Sequence, residues 1–182
     1  MEKIRCKWCN LENPLYVKYH DEEWCVPTYD DAVLFEFIIL EAFQAGLSWE
    51  TILNKRENFR EAFDNFDPHI ILEYKEDKIN ELMNNKGIIR NRRKIEASIV
   101  NAKAFLEIQA EWGTFSKYIW HFTGEKIIYE TGKASSELSD QISKDLKKRG
   151  MKFVGTTIVY AYLQAIGVIY SHDTECFMYK EN

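Results

Sequence analysis

The chain has no apolar run long enough to cross a bilayer, no h-region in its opening M-E-K-I-R-C-K-W, and no repeat, low-complexity tract or linker. The first absence excludes a helical membrane span, which needs about 20 consecutive apolar residues. The second predicts that no signal peptide is present, so the expected location is cytoplasmic. Without a linker, 182 residues predict one domain over 1–182, long enough to bury its own core. Alternating strand patterns are nearly absent, which predicts an all-α fold. An excess of positive charge is missing too: 24 Lys and Arg face 29 Asp and Glu, for a net charge of −5. That balance argues against a protein that coats nucleic acid without specificity, but it leaves room for local basic patches. The composition present, 46% hydrophobic and 29% charged, is that of an ordinary soluble globular protein.

Cysteine and histidine are sparse, with four of each, and their placement is informative. Cys6 precedes His20 by fourteen positions, and His172-x-x-x-Cys176 lies near the other end. Two thiolates and two imidazoles are a ligand set that tetrahedral zinc prefers. About 150 residues separate the halves, so no local finger could use them; closed, they would clasp the two termini of a domain together. Cys9 and Cys25 compete as ligands, and Cys6-x-x-Cys9 also reads as half of another zinc or redox motif. His69 and His121 have no partner at ligand spacing. Cysteines beside histidines in an unsignalled chain fit a reducing compartment better than disulfides.

Helix signals dominate. D-D-A-V-L-F-E-F-I-I-L-E-A-F-Q runs from Asp30 to Gln44 and is closed by Gly46. Ser48 can cap the next helix, which carries Ile52, Arg56, Phe59 and Phe63 at helical spacing. Asp67-Pro68 reads as an N-cap with proline at the first helical position. Ile79, Leu82 and Met83 form a stripe ending near Gly87, and a long helix then carries Ile95, Ile99, Ala102, Phe105 and Leu106 up to Gly113. Residues 123–134 are irregular with some extended backbone. Leu138, Ile142 and Leu146 mark a helix stopped by Gly150, and Thr156 can cap T-I-V-Y-A-Y-L-Q-A-I, closed by Gly167.

The segment 139–166 is therefore helix, hairpin, helix, with R-G-M-K-F-V-G as the hairpin. Such an element can grip a DNA phosphate through backbone N–H groups without reading sequence. Basic residues gather there, at Lys147, Lys148, Arg149 and Lys152, and at a second junction, at Lys86, Arg90, Arg92, Arg93 and Lys94. Charge runs of this kind are more often solvated helix faces. Glu41 shares a helix face with Leu34, Phe37 and Ile38, so its carboxyl points inward. A buried carboxylate is costly alone; it either pairs internally or faces a pocket that receives a cation. Trp8, Tyr16, Tyr19, Trp24 and Trp49 supply rings that could wall such a pocket.

With these residues in view, N-P-L-Y-V-K-Y-H-D-E-E-W-C-V-P is similar to the family pattern D-P-L-Y-x-x-Y-H-D-x-E-W-G-x-P. L-E-A-F-Q-A-G-L-S-W, G-I-I-R-N-R-R-K-I and S-K-D-L-K-K-R-G-M-K-F-V-G-T-T continue the match. From Cys6 to Cys176 the chain resembles the 3-methyladenine DNA glycosylase I family of alkylation-repair enzymes. The departures are Asn13 for Asp, Cys25 for Gly, and Phe43 for a Gln beside the pocket. The resemblance implies a helix-hairpin-helix glycosylase fold whose termini are joined by one structural zinc on Cys6, His20, His172 and Cys176. It implies a flipped-base pocket in which Glu41 and Tyr19 meet the base edge and are the catalytic candidates, with Trp8, Tyr16 and Trp49 as walls. It implies a loop at Gly46 and Leu47 that fills the gap left in the duplex. Arg149, Lys152 and Gly155 are the expected DNA contacts of the hairpin. The partner would be double-stranded DNA with alkylated bases, met by a monomer away from any membrane.

Relatives with lyase activity resemble a pattern with lysine two residues after the hairpin's last glycine, where this chain has Thr157. The superfamily's usual aspartate would fall near Glu175, which leaves Glu175 and Asp173 behind Glu41 as candidates for a water-activating base. Two rival readings stand beside the enzyme: a DNA-structure binder with an idle pocket, and a zinc-stabilised interaction domain with no DNA role.

Overall fold

The computed structural model describes residues 3–181 and is mostly helical. Helix α1 spans Pro14–Glu22, α2 Asp31–Gln44, α3 Trp49–Leu53, α4 Arg56–Ala62, α5 Pro68–Leu72 and α6 Glu76–Asn84. They are followed by α7 at Arg92–Trp112, α8 at Phe115–His121, α9 at Glu137–Lys148 and α10 at Thr156–Ala165. Two short strands, β1 (Ile128–Tyr129) and β2 (Ile169–Tyr170), pair in parallel with Ile128 opposite Ile169. This pair modifies the all-α expectation. It anchors the irregular 123–134 stretch, and α9 with α10 forms the crossover that parallel strands require.

The apolar sequence of α2 makes it the central helix. Leu34, Phe35, Ile39, Leu40 and Phe43 are all fully buried, so residues on several sides of the helix are in core. Asp30 caps its start by accepting from Ala32 N–H at 2.8 Å. Asp31 reaches out instead: its carboxylate accepts from the Phe115 and Ser116 N–H groups at 2.7 and 2.8 Å and so caps α8 from outside. Tyr162 on α10 donates to the Leu34 carbonyl at 3.2 Å. Gly167 closes the region. Its φ is +75°, and a Cβ there would stand 2.3 Å from the Pro27 nitrogen, so only glycine fits.

Three further expectations change. The Ile52–Phe63 pattern is two helices rather than one, broken at Asn54 and Lys55. Arg56, at the start of α4, bonds Glu23 and Glu36, both at 2.6 Å, and these long-range ion pairs override the local periodicity. Thr156 does not cap α10: the N-cap is Gly155, and the Thr156 hydroxyl instead meets Ser139 Oγ at 2.8 Å across the hairpin. Finally, α1 and α8 are helices that the apolar spacing did not announce.

Candidate functional site

Asn13 starts the first wall. Its side chain accepts from the Leu15 and Tyr16 N–H groups and begins α1. Its amide also donates to Glu50 and Asn54 at 2.8 and 2.9 Å. An aspartate could cap but could not donate, so the departure from the family pattern adds a tie between α1 and α3. Tyr16, Tyr19 and His20 are buried on α1.

The four clasp residues converge. Cys6, His20, His172 and Cys176 are all buried, with ligand atoms within 4.8 Å of one another. Cys6 Sγ lies 3.5 Å from His172 Nδ1, and Cys176 Sγ lies 3.5 Å from His20 Nε2 and 3.6 Å from His172 Nδ1. A tetrahedron with metal–sulfur bonds of about 2.3 Å and metal–nitrogen bonds of about 2.05 Å has sulfur–nitrogen edges of about 3.5 Å. The donor set therefore fits a tetrahedral metal ion. Its surroundings also fit. His20 Nδ1 meets Asp21 Oδ1 at 2.8 Å, Arg5 holds Asp21 from behind, and the Asp173 and Met178 N–H groups point at the two sulfurs. Cys9 and Cys25 stand outside the set: Cys9 Sγ faces the Tyr16 carbonyl, and Cys25 Sγ accepts from Ser171 N–H. Cys25 has φ +64°, the left-handed backbone for which the family's glycine is suited.

The clasp is joined to a cavity through aromatic rings. Trp8 lies 5.2 Å from the His20 ring and Trp24 lies 4.7 Å from the His172 ring, and the two tryptophans meet edge-on at 4.7 Å. On their other side is a cavity of about 320 Å³, lined also by Tyr16, Tyr19, Trp49, Glu41 and Gln44. All five sequence-chosen rings and the chosen carboxyl thus share one space. Three polar atoms in its lining are buried without a hydrogen-bond partner: Glu41 Oε2, Gln44 Oε1 and Trp49 Nε1. Orphans of this kind are rare in folded proteins. Burial pushes the Glu41 carboxyl well above the usual carboxylate range, with no cation opposing the shift. Burial, with Glu41 nearby, also pushes the Tyr19 phenol well up.

Gln44 is a site residue that the sequence reading passed over; it lies one helical turn (i+3) beyond Glu41 on the same helix. Phe43 is the reverse case. It is fully buried and packs on Phe59 and Phe63 at 4.8 and 5.6 Å, so it is a core residue and not a cavity wall. Lys133 and Asp173 also line the cavity, while Glu175 is exposed and does not.

Next to the cavity, Gly46 (φ +79°) and Leu47 project from the α2–α3 turn, with Leu47 exposed. Lys152 is exposed at the tip of the α9–α10 hairpin, and Gly155 has open space where a Cβ would stand. The Arg149 guanidinium, also expected to contact DNA, is engaged with Glu111 at 2.6 Å and Asp145 at 2.8 Å. Lys94 leaves the basic patch altogether, because it is buried and donates to the Phe43 and Ala45 carbonyls at 2.7 and 2.6 Å.

Known proteins resemble this chain in sequence and fold. DNA-3-methyladenine glycosylase 1 of Escherichia coli (strain K12) is 44% identical over 184 residues, covering 98% of each chain. A crystal structure of 3-methyladenine DNA glycosylase I matches with a TM-score of 0.93 at 44% identity, covering 97% of this chain and 100% of that one. A variant of 3-methyladenine DNA glycosylase I solved in complex with 3-methyladenine matches with a TM-score of 0.92 at 34% identity, covering 98% of this chain and 99% of that one. The family model described as methyladenine glycosylase matches residues 8–179. This chain belongs to the methyladenine glycosylase family.

Proposed function

We propose that this chain is a monofunctional DNA glycosylase that hydrolyses the N-glycosidic bond of 3-methyladenine in alkylated duplex DNA, for base excision repair. The observation that carries the reading is the convergence of three unpartnered polar atoms, on Glu41, Gln44 and Trp49, on one aromatic cavity. A flat base with a polar edge satisfies all three, and apolar cargo satisfies none. The base must leave the stack to reach them, at a cost of a few kcal/mol.

Methylation at N3 makes the base cationic in the nucleoside. Neutral adenine brings no charge to offset the ionisation of Glu41, whereas the cation does, and the surrounding rings add about 0.5–2 kcal/mol each toward a cation. The chemistry then asks little of the protein. Water forms a bond to C1′, the C1′–N9 bond breaks, and its electron pair neutralises the positive ring, so the leaving base needs no proton. The attacking water loses its proton to solvent or to a nearby carboxylate, for which Glu41 and the cavity-lining Asp173 are the candidates. Tyr19 orients the base edge, and Trp8, Tyr16 and Trp49 exclude bulk water.

Cys6, His20, His172 and Cys176 would hold one structural Zn2+ per chain. When bound, that ion supplies a cross-link between the termini and sets Trp8 and Trp24 in place. Leu47, carried by Gly46, would fill the gap in the duplex, and Lys152 with the backbone at Gly155 would hold a phosphate. Chromatography of bases released from methylated duplex DNA tests the reading: 3-methyladenine should appear with time and enzyme. Duplex affinity without base release would instead support a binding protein with an idle cavity.

A further inference from the structure

The two basic runs meet in space. Arg93, from the first, and Lys152, from the second, line one cleft of about 500 Å³ whose floor is Ala97, Val100 and Phe153. Arg93, Ala97 and Val100 recur on one face of α7 at helical spacing. Both cations are exposed, and among the described residues neither has a carboxylate partner. The one acid at the cleft, Glu96, is drawn to Arg92 at 3.2 Å.

The distance between the two sides of the cleft is set by a brace. Fully buried Asn101 on α7 accepts from the Lys152 N–H at 2.8 Å and donates to the Lys152 carbonyl at 3.1 Å. Phe153 follows with φ +55°, a conformation that non-glycine residues avoid and that aims its ring into the cleft floor. Lys94 lies 6.0 Å from that ring, on the inner side. Two free cations above an apolar floor match a sugar–phosphate unit: the phosphate oxygens meet the cations, and the deoxyribose carbons pack on Val100 and Phe153.

We propose that this cleft holds a backbone phosphate of the substrate duplex between Arg93 and Lys152, so that α7 extends the DNA-binding surface beyond the hairpin. The inference rests on the DNA glycosylase reading and adds a contact to it. Among the described residues exposed Arg93 makes no hydrogen bond or ion pair that its removal would break, so Arg93→Ala should fold normally.

The test is a fluorescence titration of unmodified duplex at 50 and 200 mM salt, with calorimetry of free 3-methyladenine alongside. Each phosphate contact contributes about 0.9 to the slope of log affinity against log salt, so losing one makes the Arg93→Ala deficit shrink roughly 3.5-fold between those two salts. Arg93→Ala should therefore bind duplex more weakly at 50 mM and show that shallower slope, while binding free base as wild type does. Arg93→Lys should recover most of the loss. If Arg93→Ala matches wild type in duplex affinity and slope, the cleft holds no phosphate. If wild type itself neither binds duplex nor releases base, the underlying reading fails instead.

Discussion

Lys94→Met is the substitution whose effect can be worked out most fully from the structure. Wild-type Lys94 is buried, and its ammonium donates to the carbonyls of Phe43 and Ala45 at the C-terminal end of α2. The last carbonyls of a helix have no partner within the helix, and that end carries the negative pole of the helix dipole. Methionine keeps the length and apolar stem but donates nothing. Each orphaned buried carbonyl costs about 1–3 kcal/mol, offset in part by removing a buried charge, so the net loss is about 2–4 kcal/mol. For a domain of this size each kcal/mol moves Tm by about 2–4 °C, which places Lys94→Met roughly 4–16 °C below wild type. Glu41 and Gln44 lie in the last turns of the same helix, so affinity for free 3-methyladenine should fall as well. Lys103→Met, at an exposed position of α7, should stay within about 0.5 kcal/mol of wild type. Thermal and urea unfolding of the three proteins measures this directly. A Lys94→Met variant as stable as wild type would refute the capping role.

Purified protein should contain one zinc per chain, and chelation should lower Tm; a metal content near zero in unchelated, active protein would exclude the clasp. Borohydride should trap no protein–DNA adduct, because Thr157 offers no amine to form a Schiff base with the sugar; a trapped adduct would show lyase chemistry. Trp49→Ala should weaken free-base binding by about 1–3 kcal/mol, the usual worth of a base stacked on an aromatic ring. Unchanged affinity by calorimetry would remove Trp49 from the base site.

Local signals in the sequence were read correctly where the physics is local. The caps at Ser48 and Asp67 and the stops at Gly113 and Gly150 stand where their side chains or left-handed backbones predicted. The clasp and the Glu41 pocket were legible because rare residue types marked them and a specific family pattern joined them. What escaped was decided at long range. The break between α3 and α4 follows from Arg56 reaching Glu23 and Glu36. The β1–β2 pair joins segments 41 positions apart in register. Lys94 and Arg149 sit in basic runs that look alike in sequence, yet one caps a distant helix and the other is held by Glu111 and Asp145. Gln44 was passed over because a glutamine beside a glycine turn carries no distinctive signal until the unpartnered oxygen is seen in the cavity.

The most direct measurement compares wild type with Glu41→Gln for release of 3-methyladenine from methylated duplex in a single turnover, alongside calorimetric binding of the free base. Glutamine preserves shape and hydrogen-bonding reach but cannot ionise, so it removes the counter-charge for the cationic base. The account predicts a folded variant with normal duplex affinity and a strongly reduced rate of release, with binding of the neutral free base changed less than that rate. A Glu41→Gln protein that releases 3-methyladenine at the wild-type rate would contradict it.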